Sequence, residues 1–386
     1  MPSIQETSQY IDWPLWPQYD EQHEEAVLRV IRSNQLFAAA EVAAFENEFR
    51  SHTGAAHTIG VGNATQGLQL ALASLGIGYG DEVIVTPYSW ISSASCVLMQ
   101  NAIPVFVDIE PDSFGICPEC LAKAITPRTK AVILVHMFGL CSKVDEIAEI
   151  CNEHSIPLIE DGSHSHGATL RGKHLGTFGT IGVFSLHQRK AIAAGDGGII
   201  CTNDSQIAEK IRRLRSFGDK QLSYNYRMTE FAAAIARIGL HRLEEENRIR
   251  RRNHAILAQR LKGTKITVVE PAKDVEAVFY SNLLVINLSR EQQEDLLAAV
   301  ESVGIPLKRT WQPLHRHPHF QRDNMINKRA PWDYVYKDFK EPGLNILPVA
   351  ENLQVNALFE MDGNPFVPAS VMKKSADFIC DKLNSY

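Results

Sequence analysis

A large α/β domain with a mainly parallel sheet, followed by a small α+β domain, is predicted by three features of this 386-residue chain. Between residues 82 and 154, short β-rich apolar runs alternate regularly with helical stretches. Such alternation builds a parallel sheet covered by helices on both faces. From about residue 262 the pattern changes to strand, helix and strand of a smaller unit. A chain of this length also exceeds what one simple core serves. The division is placed at 1–255 for the large domain and 256–386 for the small one.

Composition narrows the function classes. Hydrophobic residues make up 45% and charged residues 22%, and no apolar run is long enough to cross a bilayer. The first twenty residues lack a basic head followed by an apolar core, so a cytoplasmic location is expected. The net charge of −6 comes without a basic run, which argues against nucleic acid and for small-molecule partners. Seven cysteines scattered through the chain read as reduced thiols. The pair Cys117-Pro-Glu-Cys120 has no second pair or histidines at ligand spacing, so it reads as part of a turn and no metal is expected.

Residues 21–33 place Ala26, Val27, Val30 and Ile31 on one helical face, with acids early and arginines late. A second helix is predicted over 40–53, with Val42, Phe45 and Phe49 as its stripe. Residues 57–72 read as a buried strand, a turn at Gly62-Asn63-Ala64-Thr65, and an apolar helix. A strand entering a helix through small polar residues directs backbone N–H groups and the Thr65 hydroxyl at an anion. The same residues serve equally as a plain helix cap. Strands are then predicted at 82–85, 105–107 and 131–135, with helices at 90–100, 118–124 and 144–154. Thr86-Pro-Tyr-Ser-Trp90 follows a strand's carboxyl end, where open α/β sheets bind ligands. Trp90 is placed there either to stack on a flat ring or to fill the core under the loop.

The strand ending in Glu160-Asp161 leads into Gly162-Ser-His164-Ser-His166-Gly167. Asp161 precedes Lys190 by 29 positions. Lys190 lies between the apolar runs 181–184 and 199–200, with Gly195, Gly197 and Gly198 behind it. Held close to buried structure, such an amine loses pKa through desolvation and suits imine formation with an aldehyde; the alternative is a lysine snorkelling from a turn. A carboxylate at the strand end suits a pyridine-ring nitrogen, or a cap. His164 and His166 find no third metal ligand. Residues 205–216 form a basic amphipathic helix. A long helix over 229–256 carries the charge run of residues 242–253, read as exposed. Strands at 278–286 and 305–310, a helix at 290–303, an aromatic and histidine-rich loop at 311–319, and a last helix near 370–383 complete the chain.

Five motifs stand in one order along nearly the whole chain. They are Gly62-Asn-Ala-Thr65, Tyr88-Ser-Trp90, Glu160-Asp161 with His164-Ser-His-Gly167, Phe184-Ser-Leu-His-Gln-Arg-Lys190 with Gly195-Asp-Gly-Gly198, and Asn225-Tyr-Arg227-Met-Thr-Glu230. Together they resemble the DegT/StrS family of fold-type I, pyridoxal 5'-phosphate (PLP)-dependent sugar aminotransferases. The resemblance implies that Lys190 is the Schiff-base lysine, Asp161 the partner of the pyridine nitrogen and Trp90 the ring-stacking aromatic. It assigns the phosphate to Ala64, Thr65 and Ser185, counts Asn63 among the cofactor-binding residues, and gives Asn225 to the cofactor of a neighbouring subunit in a homodimer. His164 stands where the family more often has glutamine against the cofactor's phenolic oxygen, and Gly195-Asp-Gly-Gly stands for Gly-Glu-Gly-Gly. Histidine there, Trp13-Pro-Leu-Trp-Pro-Gln-Tyr19 and Leu347-Pro-Val-Ala-Glu351 resemble the branch acting on keto-inositols, whereas residues 359–366 are less like it.

The expected reaction is a ping-pong transamination from glutamate or glutamine to a keto-cyclitol or keto-sugar, with Lys190 as acid and base. His187, Trp311, His315 and His319 are candidate substrate residues, with packing as the alternative for the last three. Nucleotide-linked keto-sugars, a PLP-dependent dehydratase or lyase, and a non-catalytic cofactor-binding regulator are the competing readings.

Overall fold

The computed structural model describes residues 10–218, 222–320, 347–356 and 358–386. The first nine residues, part of the stretch read for a leader, lie outside them.

Two helices, α1 (Glu21–Ser33) and α2 (Ala40–Thr53), precede a seven-stranded sheet. Its strands are β1 (His57–Val61), β2 (Glu82–Val85), β3 (Ile103–Phe106), β4 (Thr129–Val135), β5 (Leu158–Asp161), β8 (Ile181–Ser185) and β9 (Gly198–Thr202). They lie in the order β1-β9-β8-β5-β4-β2-β3. Only β9 runs antiparallel to its neighbours. The other six therefore end at one edge, and that edge collects Gly62, Thr86, Asp161 and the loop beyond Ser185.

Helix α3 (Ala64–Ser74) is pressed hard onto this sheet. Gly67 allows it: a Cβ there would come within 2.8 Å of Val183 Cγ1. The core beneath contains Ile59, Val61, Leu68, Val83, Ile133, Ile159 and Ile200. Helices α4 (Ser92–Met99), α5 (Pro118–Ala124), α6 (Val144–Glu153) and α7 (Ser205–Arg215) complete the cover.

Helix α8 (Glu230–Leu261) is 32 residues long and runs from the first core into the second. The boundary expected at residue 255 falls inside it. Leu257 and Leu261 pack with a second sheet, β10 (Ile266–Val268), β12 (Ser281–Ile286), β14 (Leu358–Asp362) and β13 (Leu307–Arg309), antiparallel in that order. Helices α9 (Arg290–Ser302) and Ala369–Asn384 cover it, and Ile11 joins its core. A small third sheet, β11 (Val275–Glu276) against β6 (Thr169–Leu170) and β7 (Lys173–His174), connects the two units.

Two expectations are corrected. The charge run on α8 is not a fully exposed face: Asn247, Arg250 and Asn253 are buried. Arg250 Nε donates to the Gly363 carbonyl at 3.0 Å and its guanidinium also donates to Asn247 Oδ1 at 2.8 Å. Strand β14 and the helix Pro348–Asn356 have no counterpart in the sequence reading. Glu360 interrupts the apolar pattern of β14, yet it is 3% exposed because Lys308 Nζ lies 2.9 Å from its carboxylate.

Candidate active site

Lys190 lies on the loop between β8 and β9, and that loop is tied across itself. Leu186 N–H donates to Gly197 O at 2.9 Å, Gln188 N–H to Gly195 O at 2.9 Å, and Ala194 N–H to Leu186 O at 2.9 Å. Gly195 takes φ 81°, a left-handed turn position that a side chain would strain. Ala191, Ile192 and Ala194 anchor the loop in the core. The side chain of Lys190 is only half-buried over its length, but its amine points inward and sits 5.0 Å from the centre of the Tyr280 ring. Burial lowers its pKa to about 8, against the opposing pull of the Asp161 charge and with Arg189 adding repulsion. At neutral pH a substantial minority of such amines is unprotonated and nucleophilic.

Asp161 ends β5 in a buried position. Ser93 Oγ donates to its Oδ2 at 2.8 Å, and Ser163 N–H donates to its Oδ1 at 3.1 Å. Ser89 Oγ meets Ser93 Oγ at 2.8 Å and so fixes the serine that fixes the carboxylate. The result is an oriented acceptor at the floor of the site.

His164 is buried in an aromatic cage. Its ring lies 4.1 Å from Tyr280 with 5° between planes, and about 6 Å from Phe138 and Trp311. Burial, with the Lys190 and His166 charges, holds its pKa well below the ordinary value. The Phe138 N–H donates to Nδ1 at 3.3 Å, so the neutral ring carries its proton on Nε2. His164 is therefore a neutral hydrogen-bond donor.

The opposite end of the site is built to hold an anion. Asn63 caps α3, its side chain accepting from Gln66 N–H at 3.0 Å. This leaves the Ala64 and Thr65 N–H groups without an intrahelical acceptor at the positive end of the helix. Thr65 Oγ1 donates to Ser92 Oγ at 2.7 Å, and Ser185 closes β8 beside them. The start of β9 approaches this turn so closely that a Cβ on Gly198 would lie 2.8 Å from Ala64 N.

These residues share one cavity of about 570 Å³, whose walls include Asn63, Thr65, Asp161, His164, Ser185 and Lys190. Trp90 and Trp311 form its rim, edge to face at 5.7 Å, and Trp90 is 56% exposed. His187 lines the mouth and is exposed. A larger cavity, about 800 Å³, lies at the opposite edge of the sheet by Asp81, Thr126 and His154; its one amine, Lys130, is exposed and donates to the Pro127 carbonyl at 3.0 Å.

Three expected residues are not brought to the cavity. Asn225 is exposed, its Oδ1 accepting from Arg227 Nε at 3.0 Å. His315 turns to Glu351 at 2.9 Å, and His319 meets His317 at 2.8 Å. Sequence reasoning missed Tyr280, Ser89, Ser93, Gln188 and Arg189. Gln188 and Arg189 adjoin Lys190 in sequence, and Ser89 and Ser93 flank Trp90, so proximity to the motifs was an available signal. Tyr280 had none, because it enters from the small unit ninety positions beyond Lys190.

The donor set suits PLP. An α3 terminus with two hydroxyls answers a phosphate, an oriented carboxylate answers a protonated ring nitrogen, and a depressed amine answers an aldehyde. The family model of the DegT/DnrJ/EryC1/StrS aminotransferases matches residues 17–333. The chain is 33% identical over 326 residues to 3-amino-5-hydroxybenzoate synthase of Amycolatopsis mediterranei, covering 80% of this chain and 84% of that one. It is 32% identical over 373 residues to L-glutamine:2-deoxy-scyllo-inosose aminotransferase of Streptoalloteichus tenebrarius, covering 88% and 87%. The crystal structure of 3-amino-5-hydroxybenzoic acid synthase superimposes with a TM-score of 0.86 at 27% identity, over 98% of this chain and 100% of that one. The fold is fold-type I, and the chain belongs to the DegT/DnrJ/EryC1/StrS aminotransferase family.

Proposed function

We propose that this aminotransferase uses PLP to move an amino group from glutamine or glutamate to the ketone of a cyclitol or free sugar, as a homodimer with shared sites. The observation that carries the reading is the depressed Lys190 amine facing the oriented Asp161 carboxylate across one cavity. The cyclitol preference rests on His164 and on the relative that takes 2-deoxy-scyllo-inosose.

Bound there, PLP supplies an aldehyde for exchange with amines and a ring that accepts the electron pair left when the donor's α-carbon loses its proton. Lys190 would hold the aldehyde of the bound group as an imine, and its neutral Nζ, once released by a donor amine, would be the base and acid that moves the donor's α-proton. Asp161 would keep a pyridine nitrogen protonated, and the two serines hold that carboxylate in position. Ala64, Thr65 and Ser185 would hold the phosphate, Trp90 would cover a ring face, and His164 would donate from Nε2 to the phenolic oxygen. Trp311 and His187 stand where the acceptor enters.

Exposed aromatic residues gathered around Arg227 support the dimer. Arg227 stacks between the rings of Phe37 and Phe217, at 4.6 and 5.4 Å, and both rings are exposed. Asn225 is two residues before Arg227, exposed and outside the lining of its own cavity, which is what a contact made in a partner's site would require.

The test is borohydride reduction of the PLP-loaded protein followed by peptide mapping, then half-reactions with L-glutamine and L-glutamate and turnover on a panel of inososes and keto-sugars. A label on Lys190 and amine product from inososes are expected. A label elsewhere, or loss of water without amine, overturns the reading.

A further inference from the structure

We propose that Cys117 and Cys120 form a redox-active dithiol that closes to a disulfide by exchange with a low-molecular-weight aliphatic disulfide. The sequence pattern assigns this pair to a turn, and the mechanism above does not use it.

The geometry joins the two sulfurs. Cys117 is the extended N-cap of α5, with φ −70° and ψ 121°, and Cys120 lies three residues on. Cys117 Sγ accepts the Cys120 N–H at 3.3 Å, which holds the first sulfur against the backbone of the second cysteine. Pro118 fixes the first turn without losing a backbone donor that the helix would use. Two cysteines three residues apart, the first an N-cap bonded to the backbone N–H of the second, need only small rotations to reach disulfide geometry.

Access separates this pair from the other cysteines. Cys96, Cys141, Cys151 and Cys201 are buried, while Cys117 and Cys120 are half-exposed. Burial pushes the thiols of Cys141, Cys151 and Cys201 up to about 12. Cys380 stands apart, its S–H directed at Arg260 O at 3.4 Å. Among the described residues no third histidine, cysteine or carboxylate joins the pair to make a metal site.

The order of attack follows from the donors. The Cys120 N–H points at the Cys117 sulfur, and Cys117 is the cap of α5, so Cys117 is the attacking sulfur. Cys120 keeps its proton, its pKa raised to about 12 by burial first and then by the bond to Cys117. The Cys117 thiolate, its proton given to solvent, attacks one sulfur of the small disulfide, forming a mixed disulfide and releasing one thiolate. That thiolate takes the Cys120 proton. Cys120 sulfur then attacks Cys117 sulfur and expels the second thiolate, which is protonated by solvent. The dithiol loses two electrons and two protons, and the small disulfide becomes two thiols.

The experiment equilibrates native, PLP-loaded protein with oxidised glutathione, quenches in acid, alkylates and weighs the chain and its peptides. Five alkylatable thiols remaining of the seven, with the peptide holding Cys117 and Cys120 lighter by two hydrogens, is expected. In Cys120→Ser a glutathione adduct accumulates on Cys117, roughly tenfold faster than on Cys120 in Cys117→Ser. Seven alkylated thiols in the native protein, under conditions that oxidise the unfolded chain, overturn the site. Faster capture by Cys120 overturns the order. The wild-type measurement stands whether or not either variant folds.

Discussion

The imidazole of His164 lies flat on the ring of Tyr280, with 4.1 Å between centroids and 5° between planes. The stack, with the Phe138 N–H on Nδ1, leaves Nε2–H as the donor facing the cavity. A donor at the phenolic oxygen stabilises negative charge there and makes the imine nitrogen release its proton more readily. His164→Leu therefore raises the pH at which the bound cofactor's absorbance changes, by about one unit or ~1.4 kcal/mol. Tyr280→Leu, which frees the imidazole to tilt, moves it the same way by less, and Tyr280→Phe leaves it in place. Absorbance titration of the three variants reads this, and an unmoved transition in His164→Leu refutes the assignment.

Lys190 gives a pH dependence of its own. Its amine titrates near pH 8, below the ordinary lysine value, because burial disfavours the ammonium. The neutral form grows as pH rises, so the rate of PLP capture by the cofactor-free protein climbs through pH 7, reaches half its maximum at about pH 8 and levels roughly one unit above. An unperturbed lysine would still be gaining at pH 10. Stopped-flow absorbance across pH 6–10 distinguishes the two. Replacing Asp161 by Asn removes the opposing charge that favours the ammonium, and the plateau then begins lower.

The parallel sheet was legible because its strands are apolar runs separated by helices, and because chemistry falls at the ends of β5 and β8. Lys190, Asp161, His164 and the α3 turn were legible as motifs for the same reason: each lies within a few residues of a strand end. Tyr280 was not, since its position depends on how β12 meets the first sheet, a relation between segments distant in the chain. His315 and His319 misled in the opposite way. Their loop is rich in aromatic and histidine side chains, but Glu351, from a helix with no sequence signal, draws His315 out of the cavity. Glu360 hid β14 because one buried carboxylate, paired with the exposed Lys308, defeats a hydrophobic pattern.

Asp161 acts through its charge and Ser93 through the position of that charge. Asp161→Asn keeps the shape and loses the charge, and a drop in kcat of roughly 10²–10³-fold is expected, as for other preorganised electrostatic groups. Ser93→Ala removes one neutral hydrogen bond to the carboxylate, costing about 1 kcal/mol, which is about fivefold in the half-reaction. Single-turnover rates with L-glutamine measure both. Equal losses in the two variants would show that Ser93 does more than orient.

Asn225 tests the shared site. It is exposed and absent from its own cavity, and the dimer reading places it at the partner's phosphate. Lys190→Ala and Asn225→Ala are each expected to be inactive or nearly so, for different reasons. In a mixed dimer, one site combines both lesions and the other has neither. Unfolding and refolding an equimolar mixture puts half the dimers in the mixed form, so about a quarter of the sites regain full function. Recovery near that fraction, with none in either variant refolded alone, requires that Lys190 and Asn225 of one site come from different chains. No recovery, while the mixture is dimeric by sedimentation, overturns the shared site.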